Sequence, residues 1–253
     1  RVWKELFDAG RLLSTQAHFW QPKPTEELYD LQADPDEVRN LSTSPQHLKT
    51  LERLRRAHRE QIFSTRDLGF LPEGEIHSRS ADSAPLEMAR DDRRYPLKRI
   101  VAMAELAAHS DPLALPRLKR GLTDKDSAVR YWAAMGLLLR GQEGLSSADR
   151  SLRKTLQDPS PHARIVAAEA IGKYGTPADS QAALDVLLPC ADLRQNDVYV
   201  AVAALNAIDA LDGRAVLRKD EIQSLPRRHP SVPPRMSDLV DRLLTKILAD
   251  LDP

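Results

Sequence analysis

Residues 124–134 read DKDSAVRYWAA and residues 158–168 read DPSPHARIVAA, so a polar turn that leads into an alanine-rich helix occurs twice. A third copy of the helix starts at Asp197 with the sequence DVYVAVAA. The residues at the cap position, Asp126, Ser160 and Asp197, recur at intervals of roughly 35 residues, which is a period typical of stacked helical repeats. The pattern therefore predicts a repeat region built from helices.

A shorter helix is predicted before each alanine-rich one. The three shorter helices are expected at Ala114–Gly121, Ala148–Leu156 and Pro177–Leu188, with helix starts indicated by Ser146 with Asp149 and by Thr176 with Asp179. One helix pair cannot bury its apolar face alone, but stacking covers it, and small alanines let the helices approach closely. The sequence therefore predicts an α-solenoid, capped at its open end by a helix over 237–251.

The first part of the chain differs from the repeats. A short opening helix contains Val2 and Phe7, a short strand and turn are predicted at 28–36, and Ser44 is expected to cap a long helix over 45–63. Residues 71–92 contain several Pro, Gly and Ser and predict a weakly ordered connector. These segments predict a small α+β piece, so the fold class is mainly α.

Bulk composition excludes some partners. The 253 residues carry no formal net charge, with 37 Lys and Arg against 37 Asp and Glu, which removes the usual electrostatic reason to expect a nucleic-acid partner. A single cysteine, Cys190, allows neither an intramolecular disulfide nor a cysteine-based zinc cluster. No run of apolar residues is long enough to predict a membrane span.

The repeats resemble HEAT repeats through the spacing Asp-x-Asp/Ser-x-x-Val/Ala-Arg. It is found as Asp124, Asp126 and Arg130 in one copy, and as Asp158 and Arg164 in the next. The resemblance implies a ladder of Asp–Arg pairs along the inner turns. The third copy has Ala201 in place of the arginine, so a break in the ladder is expected there.

Residues 27–41, ELYDLQADPDEVRNL, resemble the C-terminal signature of type I sulfatases, and residues 1–6 and 65–72 are similar to a subgroup of bacterial sulfatases that includes members with HEAT-like repeats. The resemblance implies three parts: a partial sulfatase C-terminal subdomain over 1–72, a connector over 73–96, and HEAT-like repeats with a capping helix over 97–253. Because the chain starts at Arg1 in helical register without a methionine, we expect a fragment whose catalytic domain is missing. The family's calcium and formylglycine would belong to that domain, and a periplasmic or extracellular location is implied.

None of the candidate residues is predicted to be catalytic, cofactor-binding or metal-binding. Cys190 and Arg194 have the spacing of the formylglycine motif, but Asp192 stands where that motif has Pro, Ser or Ala. Asp30, Asp34, Asp36 and Glu37 lack the order of an EF-hand loop and predict turn and cap chemistry. The seven histidines form no metal pair and are expected at the surface or at caps.

Two further groups have alternative interpretations. The basic loop Arg227-Arg228-His229 is expected to be solvated, with a contact to a sulfated glycan as the alternative. Tyr131 and Trp132 are expected to pack between repeats, with a ligand platform as the alternative. The leading functional hypothesis is the non-catalytic C-terminal portion of a sulfatase that hydrolyses sulfate esters, inactive as this chain alone. The alternative is a HEAT-repeat scaffold that binds a protein or a polyanion.

Overall fold

The computed structural model describes residues 2–109 and 111–252, and it confirms a mainly α fold. The chain divides into two compact units, residues 1–65 and residues 66–253. Arg1, the first residue of the resemblance to sulfatases, lies outside the described residues. Within the described part, no helix is both long enough and apolar enough to cross a membrane.

Helices make up most of both units. The α-helices in chain order are α1 (Val2–Asp8), α2 (Ser14–Ala17), α3 (Leu48–Thr65), α4 (Glu73–Arg79), α5 (Pro85–Arg90), α6 (Leu97–Ala108), α7 (Leu115–Gly121), α8 (Ser127–Leu138), α9 (Gly141–Thr155), α10 (Pro161–Tyr174), α11 (Pro177–Ala191), α12 (Val198–Asp209), α13 (Lys219–Gln223) and α14 (Leu239–Asp250). Short 3-10 helices lie at His18–Trp20, Pro45–His47, Leu68–Phe70, Pro112–Ala114, Asp212–Arg218 and Pro234–Met236.

The strand predicted in the first unit does not form, and the described residues contain no strand. One backbone bond, from the Leu41 amide to the Leu28 carbonyl at 2.7 Å, joins the two sides of the loop. The side chain of Asn40 takes the place of further ladder bonds. Its Oδ1 accepts from the Leu28 amide at 3.0 Å and its Nδ2 donates to the Glu26 carbonyl at 3.1 Å. An amide side chain can satisfy these backbone groups without a second strand.

The second unit contains two sets of packed helices. Helices α6, α8, α10, α12 and α14 contact one another in succession, and α7, α9 and α11 each pack against the helix that follows. Of the alanines predicted at the contacts, five are fully buried, namely Ala133, Ala134, Ala167, Ala168 and Ala204, whereas Ala203 is only partly buried. Ala133, Ala134 and Ala167 belong to the buried cluster that includes Leu118 and Leu137, and Ala168 and Ala204 belong to the cluster that includes Leu187 and Leu205.

Most predicted helix starts are found where expected. Asp126 caps α8 and Asp197 caps α12, because their carboxylates accept from backbone amides of the first turn. Thr176 and Asp179 form the predicted capping box of α11. The start predicted at Ser146 is confirmed in part: α9 already begins at Gly141, but the non-helical backbone of Ala148 divides it into two helical segments, the second of which begins close to the predicted start.

Residues 71–92 are not weakly ordered, so that prediction is also wrong. They contain α4 and α5, and Met88 and Ala89 are buried. Tyr95 is fully buried and its hydroxyl donates to the Asp67 carbonyl. The Trp132 indole donates to the Phe70 carbonyl at 2.8 Å. The sequence 66–95 is therefore part of the packed second unit.

Candidate functional site

A groove of about 520 Å³ with many charged side chains in its walls lies in the second unit, at the turns before α8 and α10. It is bounded by α4, by the turn before Tyr95, and by the N-terminal ends of α8 and α10. Basic side chains outnumber acidic ones among its walls. The charged residues that line it are Glu75, Arg79, Arg93, Arg94, Lys125, Asp126 and Arg130.

Glu75 is the buried centre of this groove. Only 5% of its surface is exposed, yet it carries a carboxylate, so its oxygens must be paired. Its Oε2 accepts from Arg79 at 2.6 Å and from the Ser127 hydroxyl at 2.8 Å, and its Oε1 accepts from the Ser160 hydroxyl at 2.9 Å. One side chain of α4 thus joins the first residue of α8 and the cap of α10.

The Ser160 hydroxyl was expected to cap α10, but it makes no cap bond. It donates to Glu75 instead, from a residue that is 8% exposed. A cap bond would have the hydroxyl oxygen accept from an amide of the first turn, whereas here the hydroxyl proton is donated to the buried carboxylate, which orients the side chain toward α4. The sequence around Ser160 could not reveal this, because its partner lies on a distant helix.

The Arg79 guanidinium pairs with acidic and polar groups around Glu75. Its Nη1 donates to Asp126 at 3.0 Å and to the Arg94 carbonyl at 2.8 Å, and its Nη2 reaches the Ser127 hydroxyl at 2.7 Å. Although burial lowers the pKa of Arg79, hydrogen bonds to Asp126 and Glu75 raise it above the usual value. The guanidinium is fully engaged within the protein, so it is a structural cation.

The Asp–Arg ladder implied by the HEAT resemblance exists as two pairs. Arg99 pairs with Asp124, and Arg130 holds Asp158 through two bonds of 2.6 and 2.7 Å. Side-chain hydrogen bonding to Asp158 raises the pKa of Arg130. Asp158 also accepts from the Ser160 amide at 2.8 Å, so the second pair fixes the turn before α10.

Two cations of the groove are not paired within the described part of the chain. The side chains of Arg93 and Lys125 are exposed and make no hydrogen bond or ion pair within the described part of the chain. Because Arg79, Arg94 and Arg130 are already engaged, these two side chains carry the groove's available positive charge. An anionic group is the ligand that such a pair attracts.

Cys190 and Arg194, which have the spacing of the formylglycine motif, do not form a site together. Arg194 is paired with Asp192 at 2.7 Å, whereas Cys190 is buried beside Arg164 on α10. Burial raises the pKa of the Cys190 thiol, and the nearby Arg164 guanidinium opposes this shift only in part.

The acidic residues at 30–37 hold the loop of the first unit. Asp34 accepts from the amides of Val38 at 3.2 Å and Arg39 at 2.8 Å, and Asp30 accepts from the Gln32 amide at 3.1 Å. Among the described residues, no group of His, Cys, Asp and Glu is arranged to hold a metal ion. The contacts agree with the turn chemistry predicted for these residues.

Among the histidines, the surface prediction is wrong for His162. It is 5% exposed, and burial lowers the pKa of its imidazole. His77 stacks on Tyr199 with ring centroids 4.7 Å apart, which places α4 against α12. In the described part of the structure, neither histidine belongs to a group of three or more His, Cys, Asp or Glu side chains that could hold a metal ion.

The remaining candidates have structural contacts. Tyr131 and Trp132 pack against the core of the second unit, with ring centroids 5.4 Å apart. In the basic loop, Arg227 pairs with Asp241 at 2.6 Å, while the Arg228 side chain is 72% exposed. Sequence reasoning missed Glu75 and Arg79 because they stand in a segment rich in turn-forming residues.

No protein-family model, curated protein or solved structure matches this chain.

Proposed function

We propose that this chain is the C-terminal, non-catalytic portion of a sulfatase, and that residues 1–65 pack against a catalytic domain outside the chain. The hydrolysis of a sulfate ester would then take place in that domain. The observation that carries the proposal is the unequal burial of apolar side chains in the two units. The first unit presents large apolar side chains to solvent, and the second unit buries most of its own.

The exposed fractions make this contrast clear. Among the described residues of the first unit, only Leu51 and Ile62 are buried apolar side chains. Its exposed large apolar residues are Val2, Trp3, Leu13, Phe19, Leu31, Val38, Leu48 and Leu54. Trp3 and Phe19 stack with ring centroids 5.0 Å apart, yet they are 43% and 57% exposed. Apolar surface clustered in this way is typical of an interface.

The loop that resembles the sulfatase signature also supports the proposal. Asp34 and Asn40 fix its backbone through the bonds described above. Glu26, at its start, binds Arg55 of α3 through Nε at 2.7 Å and Nη2 at 2.5 Å. A small unit with so few buried residues gains little stability from its own core. Docking on a larger domain would bury the exposed apolar side chains and so supply the stability that the unit lacks.

Two measurements test the proposal. The coding sequence in frame and upstream of the codon for Arg1 is expected to encode a Cys/Ser-x-Pro-x-Arg motif. The purified chain alone is expected to hydrolyse 4-nitrophenyl sulfate no faster than a protein-free blank. Hydrolysis by the chain alone, or an upstream sequence without that motif, would overturn the proposal.

The docking surface has its own test in the longer protein. The double substitution Trp3→Ala and Phe19→Ala is expected to lower its melting temperature, because both rings would lose a buried contact. Leu113→Ala is the matched control, because Leu113 belongs to the second unit and is 82% exposed. An equal effect of the two variants would exclude docking through this surface.

A second candidate function is a scaffold of HEAT-like helix pairs, an α-solenoid, that binds a polyanion. The succession of contacts from α6 to α14 supports the solenoid, and the available charges of Arg93 and Lys125 support the anionic partner. Binding to a heparin column is expected to weaken with salt, because exposed charges are screened. The double substitution Arg93→Ser and Lys125→Ser is expected to lower the eluting salt concentration more than Arg242→Ser, a change of an exposed arginine on α14.

A further inference from the structure

The Asp–Arg ladder stops one pair earlier than its sequence suggests. In the second pair, Arg130 binds Asp158, which stands two residues before the cap of the next long helix. The residue two positions before the next cap, Asp197, is Gln195. Arg164, which corresponds to Arg130 in the following repeat, therefore has no carboxylate at the equivalent position. The ladder of Asp–Arg pairs therefore ends at Arg164, before the break that is expected at Ala201.

The guanidinium of Arg164 remains only partly used. Its Nη1 donates to the carbonyls of Asp158 at 2.6 Å and Pro159 at 3.3 Å, and it makes no ion pair among the described residues. An acid of the next loop, Asp192, is bound by Arg194 at 2.7 Å and 2.9 Å. The place filled by Asp158 in the preceding repeat is therefore open beside Arg164.

That place is a pocket of about 370 Å³. Arg164 and Cys190 lie on its wall together with the amide side chains of Gln157, Gln195 and Asn196. Asp185 also lines it, but its carboxylate is paired with Arg218 at 2.7 Å. The volume lies at the small end of the range for pockets that hold small molecules.

We propose that this pocket binds a small free carboxylate, which pairs with Arg164 as Asp158 pairs with Arg130. A guanidinium binds a carboxylate through two parallel bonds, and the second ladder pair shows this geometry with Nε and Nη2. The amides of Gln157, Gln195 and Asn196 add polar groups that can contact the rest of the ligand. This inference is independent of the sulfatase proposal, because it concerns only residues of the second unit.

Cys190 gives a reporter inside the pocket, and it is the only cysteine in the sequence. Iodoacetate carries a carboxylate, whereas iodoacetamide is neutral, and both alkylate a thiol in the same way. The Cys190 sulfur attacks the methylene carbon as a thiolate, the new S–C bond forms while the C–I bond breaks, iodide leaves, and the thiol proton passes to water. The ratio of the two alkylation rates therefore measures attraction of a carboxylate to the pocket.

The ratio of iodoacetate to iodoacetamide rates is expected to be at least about tenfold higher in the native chain than in the urea-unfolded chain. One charge-assisted pair is worth roughly a tenfold to hundredfold change in affinity. Glutarate at constant ionic strength is expected to abolish this excess. Equal ratios in the native and unfolded chains would overturn the proposal.

Two variants distinguish pairing of the reagent's carboxylate with Arg164 from a general increase in the access of reagents to Cys190. Gln195→Asp supplies an internal carboxylate, so it is expected to bring the native ratio down to that of the unfolded chain. Arg164→Lys keeps the charge but not the two parallel bonds, so an intermediate ratio is expected. Arg242→Lys, far along the sequence on α14, is the control and is expected to leave the ratio unchanged. A Gln195→Asp chain with an unchanged ratio would also overturn the proposal.

Burial of Cys190 sets the baseline rate of alkylation, since 4% of the residue is exposed. A second measurement therefore follows the melting temperature with added glutarate at constant ionic strength. Glutarate is expected to raise the melting temperature of the native sequence and not that of Gln195→Asp. Equal shifts in the two proteins, or none in either, would overturn the proposal even if neither alkylating reagent reacts.

Discussion

The substitution Glu75→Ala tests whether α4 is held to the repeats by one buried carboxylate. The change leaves the hydroxyls of Ser127 and Ser160 without their acceptor and removes one of the two acids that pair with Arg79. Breaking a buried ion pair costs about 3–5 kcal/mol. Because Arg79 keeps its contact with Asp126, the expected loss is at the lower end, about 3 kcal/mol in the free energy of unfolding.

Urea unfolding gives this loss directly. Fluorescence of Trp132 reports on the second unit once Trp3 and Trp20 are replaced by phenylalanine in every protein compared. Glu73→Ala is the matched control, because Glu73 is an exposed residue of the same helix, and its effect is expected within about 0.5 kcal/mol. If Glu75→Ala costs no more than the Glu73 control, α4 is held by its apolar contacts and the role given to the carboxylate is wrong.

Two other predictions concern charge and packing. Hydrogen bonding to Arg153 lowers the pKa of Asp179 to about 2, below the value of about 3.9 in an unfolded chain, so its stabilisation is present above pH 4 and is lost as the pH falls toward 2. Asp179→Asn is therefore expected to lose less stability than the native sequence between pH 5 and pH 2, as measured by urea unfolding. Gly136→Ala is expected to cost about 1–3 kcal/mol, because the added Cβ would lie 2.6 Å from Leu118 Cδ2. The control Gly213→Ala meets nothing within 4 Å and is expected to have little effect on the melting temperature.

The long helices of the second unit could be predicted from the sequence because their signals are local. Asp126, Thr176 and Asp197 each accept from amides of the turn that follows them, so a cap and its helix lie together in the sequence. Alanines at fixed positions likewise mark the contacts between neighbouring helices. Such features can be recognised in the sequence without knowing which distant residues they contact.

The groove could not be predicted because its contacts join residues far apart in sequence. Glu75 reaches Ser127 and Ser160 across 52 and 85 positions. Proline, glycine and serine in residues 71–92 favour turns locally, yet burial of Met88 and Ala89 stabilises short helices there. Tertiary packing overrides local preference most easily in segments as short as α4 and α5.

The strand predicted within residues 28–36 does not form, for a related reason. Alternation of side chains is compatible with a strand, but a strand forms only beside a partner that supplies a ladder of bonds. Here Asn40 supplies those bonds from its side chain, and only Leu28 and Leu41 pair through their backbones. The sequence contains Asn40, but it does not show which backbone groups the amide will reach.

The polar contacts between loops end at the boundary where the carboxylate pocket lies. Glu75 joins α8 to α10, and Arg130 with Asp158 joins the same two turns, whereas no side-chain hydrogen bond joins the turns before α10 and α12 among the described residues. That junction depends on the apolar packing of α10 against α12, since the stacking of His77 on Tyr199 joins α12 to α4. A carboxylate between Arg164 and the amides of Gln195 and Asn196 would supply the missing polar contact. Ligand binding there would therefore stabilise a junction that lacks a ladder pair, so the glutarate-dependent rise in melting temperature should be absent once Gln195→Asp supplies that pair.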